Sequence, residues 1–168
     1  MSEFKGFFRI QIRKEALKFS AAHMTLFADG SKENLHGHNY RTEVRIEFER
    51  FSLKEMLPFS EIKSAMRVIC QEWDEKVLLP TECPFAEIKK TGKNEIEITA
   101  CGKRYVFPED EVVLLPVDTV TTESLAKIFC ERLAGTLPRS SLERAGVRSI
   151  ETKIEEMTGQ GASYVITL

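Results

Sequence analysis

The three histidines of this chain lie between positions 23 and 38, in Phe19-Ser-Ala-Ala-His23 and Leu35-His36-Gly-His38-Asn-Tyr40. On a strand, residues i and i+2 point to the same face of the sheet, so His36 and His38 share a face. A third histidine, His23, arriving from a neighbouring strand completes the three-nitrogen set of a catalytic zinc site and leaves a fourth position open. The spacing therefore predicts a metal site, and the alternative is a chance cluster of polar side chains.

The flanking residues predict two strands that position these side chains. Leu17, Phe19, Ala21 and His23 alternate with other residues, in a different phase from the alternation of Phe8, Ile10 and Ile12. The change of phase predicts a bulge or kink near residues 14–16. Residues 25–34 form a predicted loop. The next strand has one mainly apolar face and one charged face; the apolar face carries His36, His38, Tyr40, Thr42, Val44, Ile46 and Phe48.

The rest of the chain contains patterns for two helices and several short strands. Helical spacing follows Ser60, a candidate cap, and again follows Thr121 or Thr122, with Gly135 just past the second helix. Short strands are predicted at 95–98 and 105–107 as a hairpin, at 112–115, and near 147–156 and 162–168. The predicted buried residues of the helices are Ile62, Met66, Ile69 and Trp73 in the first and Leu125, Ile128, Phe129 and Leu133 in the second.

The order of these elements predicts an α+β fold in a single domain, residues 1–168. Two strands, a helix, an inserted hairpin, a helix and two strands give an antiparallel four-stranded sheet with two helices on one face. Residues of about 80–115 form the predicted insertion. Open sheet edges favour joining of identical subunits edge to edge.

Composition excludes several classes of protein. The 168 residues are 42% hydrophobic and 30% charged, with a net charge of −2, as in soluble globular proteins. No basic patch for nucleic acid is evident, and the apolar runs are too short to span a membrane. Residues 1–5 do not resemble a signal peptide, and the four cysteines form no Cys-x-x-Cys pair, which favours reduced thiols and a cytoplasmic location.

The histidine motifs resemble the zinc signature of the 6-pyruvoyl-tetrahydropterin synthase and 6-carboxytetrahydropterin synthase family. The resemblance implies the tunnelling fold, in which identical subunits, commonly six, join their sheets into a barrel. It implies that His23, His36 and His38 bind zinc and that zinc contacts the side-chain oxygens of a reduced pterin. It also implies that Glu156, on the penultimate strand, binds the pterin amide and amino groups.

The segment Thr121-Thr122-Glu123 resembles the part of the family that lies near the pterin, and helix capping is an equally suitable and compatible role for it. For Glu156 the alternative is a surface glutamate or an internal salt bridge.

Two departures from the family pattern affect the expected chemistry. The positions of the family's catalytic cysteine are Gly30 and Lys32 here, so this cysteine is absent. The Asp-His that ends the first helix in the family reads Asp74-Glu75. Asp74 stays a candidate catalytic residue, although an exposed helix end is the alternative for both acidic residues.

Glu33 is the candidate replacement for the missing cysteine. Glu33-Asn-Leu-His36-Gly-His38 resembles a branch of the family in which Glu-x-x-His-Gly-His replaces the cysteine. Members of that branch shorten the side chain of 7,8-dihydroneopterin triphosphate to give 6-hydroxymethyl-7,8-dihydropterin for folate synthesis. The alternatives are 6-pyruvoyl or 6-carboxytetrahydropterin synthesis, with Cys83 or Cys101 supplied by a neighbouring subunit, and a zinc- and pterin-binding protein without turnover. Folate, queuosine and biopterin pathways all remain open.

Overall fold

The structure is a computed structural model that describes residues 6–50, 52, 54 and 56–168. The expectation for residues 1–5 lies outside the described residues. The strands are β1 (Phe8–Ile12), β2 (Lys18–His23), β3 (His36–Phe48), β4 (Lys76–Pro80), β5 (Ala86–Thr91), β6 (Glu95–Ala100), β7 (Lys103–Pro108), β8 (Val112–Leu115), β9 (Val147–Met157) and β10 (Gln160–Thr167). The helices are α1 (Phe59–Trp73), α2 (Thr122–Thr136) and α3 (Arg139–Arg144).

Strand β3 is the centre of the main sheet. One edge of β3 pairs first with β2 and then with β1, both antiparallel, and the other edge pairs with β9. The chain leaves the sheet between β1 and β2, where the amide of Leu17 donates to the carbonyl of Lys14 at 2.9 Å. This break lies where the change of phase predicts a kink, so that prediction is confirmed.

The α+β class is confirmed, and the sheet is larger than the sequence predicts. Within the described residues it has seven strands, in the order β10-β9-β3-β2-β4-β8 with β1 beside β3, and in the single chain it does not close into a barrel. Strand β4 pairs with β2 in parallel, and β8 pairs with β4 in parallel. Strand β4 follows α1 almost directly, and no strand was predicted there, because the run Lys76–Pro80 is short and mostly apolar rather than alternating.

The predicted hairpin is part of a separate antiparallel sheet of three strands, β5-β6-β7. The β6–β7 pair flanks Cys101 and Gly102, as expected. Strand β5 was missed because its residues are mostly polar and charged, and none of them is buried. This sheet shares an apolar cluster with the loop between β2 and β3 and with Leu79 of β4.

Helices α1 and α2 cover the apolar face of the main sheet, and all eight predicted helix-core residues are buried. Trp73 is fully buried, and its ring lies edge-on to Phe19 at 5.3 Å and to Phe129 at 5.9 Å between centroids. Such edge-to-face pairs lock the helices onto β2. None of the described helices combines the length and apolar character that a membrane crossing requires.

Two predicted helix ends are wrong. Helix α1 begins after Pro58, whose carbonyl accepts the amides of the first turn, so Ser60 lies inside the helix and does not cap it. Helix α2 continues through Gly135 to Thr136. The predicted cap Thr121 is confirmed, because its hydroxyl accepts the amide of Ser124 at 3.4 Å.

The opposite face of the main sheet is charged and internally paired. Glu43 is 4% exposed and Glu155 is 5% exposed. Arg45 contacts Glu43 at 2.7 Å, and Lys153 and Arg13 contact Glu155 at 2.8 and 2.9 Å. The Lys153 hydrogen bond holds the pKa of Glu155 below its usual range. These pairs satisfy the carboxylates that the strand alternation turns away from the apolar core.

We expect Gly161→Ala to destabilise the protein by about 3 kcal/mol, because its new methyl group would overlap the carbonyl oxygen of Ile154 and lie 2.7 Å from Cα of Glu155. The matched control is Gly135→Ala, where a methyl group meets nothing within 4 Å inside α2. The control should be stabilising by about 0.5 kcal/mol, because alanine favours helix. Urea unfolding of both variants measures the difference. Equal stability would show that the β9–β10 hairpin adjusts to a side chain.

Candidate active site

The three histidines converge in space as their spacing predicts. His23 lies directly opposite His36 in the antiparallel β2–β3 register, and His38 follows two residues later on the same face. Their possible ligand atoms all lie within 4.8 Å of one another, and the ring centroids are 4.7 to 5.4 Å apart. The group can hold a metal ion.

Backbone carbonyls orient two of the three imidazole rings. The Nδ1 of His23 lies 2.9 Å from the carbonyl of Val120, and the Nδ1 of His36 lies 2.8 Å from the carbonyl of Asn34. A carbonyl only accepts, so each Nδ1 carries the proton and each Nε2 presents a lone pair. This arrangement is typical of metal-ligating histidines, in which the second ring nitrogen is held by a protein acceptor.

The buried environment of His23 suits a metal ligand. Its side chain is 3% exposed, and its Nε2 is buried without a hydrogen-bond partner within the protein. Burial lowers the pKa of His23, which favours the neutral imidazole that binds a metal. An unpartnered buried nitrogen is unfavourable unless a ligand satisfies it. The donor set therefore fits a zinc ion with three nitrogen ligands and an open position.

Glu33 lies on the loop between β2 and β3 and lines the same cavity as the histidines. The Thr25 hydroxyl donates to the Glu33 carboxylate and, with the nearby His36 and His23, holds its pKa below the usual range. The amide of Glu33 donates to the carbonyl of Thr25 at 2.9 Å, which fixes the backbone as well. A depressed pKa means that this carboxylate is ionised at neutral pH.

Glu156 reaches the cavity from β9, on the face predicted for it. Its neighbours on that face, Thr152 and Ile154, are fully buried, whereas Glu155 joins the charged pairs on the other face. One carboxylate oxygen of Glu156 accepts from Gln160 at 2.6 Å, and the other lies 3.8 Å from Nε2 of His38. The carboxylate is thus held at the edge of the histidine cluster, with one oxygen directed toward it.

The start of helix α2 forms another wall of the cavity, with Thr121, Thr122 and Glu123. Thr121 and Ser124 form a reciprocal capping box. The pKa of Glu123 is lowered, first by the Thr121 hydrogen bond and then by its own backbone amide. Capping and cavity lining therefore coexist in this segment, and its part in ligand binding stays a prediction.

The whole cavity has a volume of about 460 Å³, which is within the range of small-molecule sites. Sequence reasoning missed four of its lining residues: Thr25, Met157, Gln160 and Gly161. The signal that could have found two of them is the turn between β9 and β10. There Gln160 and Gly161 follow Glu156 closely enough to line the same wall of the cavity.

Asp74 does not line this cavity. It ends helix α1, and its carboxylate accepts the amide of Ser20 at 2.7 Å. The following Glu75 has a positive φ of 58°, and its amide donates to the carbonyl of Ser20 at 2.6 Å. In the single chain, Asp74 holds the connection between α1 and β4 against β2, and its catalytic role stays a prediction.

None of the four cysteines lines the cavity either. Cys70, Cys83 and Cys130 are buried, and burial raises the pKa of the Cys70 thiol to about 11. Cys101 is partly exposed and lies in the turn between β6 and β7. A thiol from Cys83 or Cys101 of a neighbouring chain stays an alternative prediction.

Comparisons with known proteins agree with this geometry. The sequence is 35% identical over 152 residues to a protein of Methanocaldococcus jannaschii named "Putative 6-carboxy-5,6,7,8-tetrahydropterin synthase", covering 88% of this chain and 89% of the relative. The 6-pyruvoyltetrahydropterin synthase of Plasmodium vivax superposes with a TM-score of 0.90 at 23% identity, covering 97% of this chain and 99% of that chain. Structures of the same P. vivax protein with one glutamate replaced by alanine or by cysteine, described as catalytic residue mutants, superpose equally well.

The enzyme of Plasmodium falciparum superposes with a TM-score of 0.89 at 23% identity, covering 96% of this chain and 99% of that chain. These structural similarities establish the fold. The family model for 6-pyruvoyl tetrahydropterin synthase matches residues 11–166. The chain therefore belongs to the 6-pyruvoyl tetrahydropterin synthase family, whose members are lyases of pterin biosynthesis.

Proposed function

We propose that this protein is a zinc-dependent lyase that cleaves the side chain of 7,8-dihydroneopterin triphosphate to 6-hydroxymethyl-7,8-dihydropterin. The observation that carries the proposal is that the ionised carboxylate of Glu33 lines one cavity with His23, His36 and His38. No thiol of the same chain lines that cavity. A carboxylate beside a metal site can act as general base. In the P. vivax relative a glutamate is described as a catalytic residue, which supports the same chemistry here.

The histidines would hold the zinc through their Nε2 atoms, and Glu156 would bind the pterin. A zinc ion there supplies a Lewis acid that lowers the pKa of substrate hydroxyls beside it. The pterin amide and amino groups offer two parallel N–H donors, which match the two oxygens of one carboxylate. The hydrogen bond from Gln160 keeps Glu156 in place for this contact. Thr121, Thr122 and Glu123 would line the ring on its other side.

Glu33 would then accept the proton of the C2′ hydroxyl. The C1′–C2′ bond breaks, C2′ leaves as the aldehyde carbon of a two-carbon triphosphate, and the bonding electrons pass into the dihydropterin ring. A proton delivered to C1′ completes 6-hydroxymethyl-7,8-dihydropterin, so atoms and charge balance. This route needs one base and one returning proton, which a single carboxylate can supply.

A 6-carboxytetrahydropterin synthase is the second candidate, because the M. jannaschii relative at 35% identity carries that name. This chemistry needs further proton-transfer groups, for which Asp74 or a cysteine from a neighbouring chain is the available source. A zinc- and pterin-binding protein without turnover would leave the substrate unchanged.

We further propose that the single domain assembles through its sheet edges into a hexamer. Among the residues that the structure describes, the outer strands β10 and β8 of the main sheet have no further partner strand. Exposed edges of this kind favour strand pairing with another copy. A closed ring of subunits would remove every edge.

For the metal site, we expect His36→Ala or His38→Ala to reduce zinc well below the roughly one ion per chain of a three-histidine site. Each variant removes one of three nitrogen ligands. The matched control is Asn39→Ala, which alters the other face of β3 next to His38 and should retain zinc. Metal analysis of purified protein by mass spectrometry provides the measurement. Full zinc content in both histidine variants would refute the ligand set.

For the reaction, zinc-loaded protein incubated with 7,8-dihydroneopterin triphosphate should yield the 6-hydroxymethyl product by chromatography and mass spectrometry. We expect Glu33→Gln to lower kcat by about 10²–10⁴-fold with zinc retained, because the amide cannot accept the proton. Asp29→Asn changes another carboxylate of the same loop outside the cavity and should be nearly as active as the unaltered protein. A carboxy main product would overturn the proposal in favour of the second candidate, and a pyruvoyl main product would overturn it in favour of 6-pyruvoyl-tetrahydropterin synthesis. Unchanged substrate would favour binding without turnover.

A further inference from the structure

We propose that the three-stranded sheet β5–β7 is a positioning platform that fixes the Glu33 loop, residues 24–35, relative to the histidines. The proposal rests on the catalytic role of Glu33 proposed above. Strands β5–β7 supply none of the residues that line the active-site cavity. Their contribution to the reaction therefore passes through the loop.

The first observation is a shared apolar cluster that joins both ends of the loop to the sheet. Met24 and Leu26 are 1% and 5% exposed, and they belong to the same cluster as Ile96 and Ile98 of β6, which are 1% and 0% exposed. Leu35, at the other end of the loop, packs against the same cluster. This cluster is separate from the main core under α1 and α2. The loop is thus anchored in the small sheet rather than in the helical layer.

The second observation is a pair of polar contacts at the tip of the loop. The thiol of Cys101, in the β6–β7 turn, lies 3.6 Å from the carbonyl of Ser31 as a hydrogen-bond donor. The ammonium of Lys32 lies 5.2 Å from the ring centroid of Tyr105 on β7, which is cation–π geometry. The same ammonium donates to the carbonyl of Glu33 at 2.8 Å. Lys32 therefore connects the Tyr105 ring of the platform directly to the backbone of Glu33, the proposed base.

The third observation is a bridge between the two sides of the loop, which couples the position of its tip to that of Glu33. Leu26 and Lys32 form an antiparallel bridge across the loop. The amide of Leu26 also donates to Thr119 at 2.9 Å. The bridge makes the tip and the Glu33 backbone one short rigid unit. Releasing Lys32 from Tyr105 would allow that unit to shift while the histidines, which lie on β2 and β3, stay in place.

The test compares Tyr105→Ala with the conservative Tyr105→Phe, which keeps the ring under Lys32. Tyr105→Ala should lower kcat roughly tenfold, because a small displacement of a catalytic group is costly. The KM and the zinc content should stay within about twofold, because the histidines and Glu156, the proposed pterin-binding residue, lie on β2, β3 and β9 and are untouched. Tyr105→Phe should have the same kcat as the unaltered protein. Val106→Ala, on the other face of β7, is the matched control and should leave kcat unchanged.

Amide hydrogen exchange gives a readout that does not depend on activity. In Tyr105→Ala, exchange should increase in residues 27–34 and stay unchanged in β9. Should Tyr105→Ala fail to fold, Lys32→Ala removes the same contact from the loop side and should give the same pattern. Unchanged exchange in the loop together with unchanged kcat would overturn the proposal.

A double variant separates this proposal from the proposed function. If the platform acts through Glu33, adding Tyr105→Ala to Glu33→Gln should cause no further loss of kcat. A further tenfold loss would show that Tyr105 acts by another route. If Glu33→Gln alone is fully active, the proposed function fails, and hydrogen exchange still decides whether β5–β7 holds the loop.

Discussion

The pairing of β2 with β3 is the interaction on which the site depends. The register places His23 opposite His36, and the two-residue period of the strand adds His38 on the same face. A shift of β2 by one residue would turn His23 to the charged face, away from His36 and His38 and from the Val120 carbonyl that orients it. The register is fixed by burial, because Phe19 and Tyr40, which face each other in the same ladder, are stacked beneath the helices.

The two faces of the main sheet differ in chemical character. One face buries the helices and ends at the active-site cavity, whereas the other carries paired carboxylates such as Glu43 and Glu155. The same alternation along β9 directs Glu156 to the cavity and Glu155 to the charged face. The cavity wall and the charged face thus follow from one strand period.

Much of this organisation follows from local sequence patterns. The histidine cluster, the faces of β3 and β9 and the buried helix residues are set by periods of two or 3.6 residues, and the cap at Thr121 by the preference of threonine for that position. The remaining features depend on contacts between distant parts of the chain. The parallel strand β4, the Thr25 hydrogen bond to Glu33 and the Val120 acceptor have no local signature. Strand β5 was missed because its apolar side is weak: only Ala86 and Ile88 are apolar, and both are partly buried.

The central claim is that the C1′–C2′ bond of the substrate breaks, and the fate of the side-chain carbons in D₂O tests it most directly. The zinc-loaded protein and 7,8-dihydroneopterin triphosphate would be combined in D₂O and the products followed by NMR. Cleavage with Glu33 as the base predicts one deuterium on C1′ of the hydroxymethyl product and an equal amount of a two-carbon aldehyde triphosphate. A carboxy product, or a product that retains all three side-chain carbons, would contradict the account.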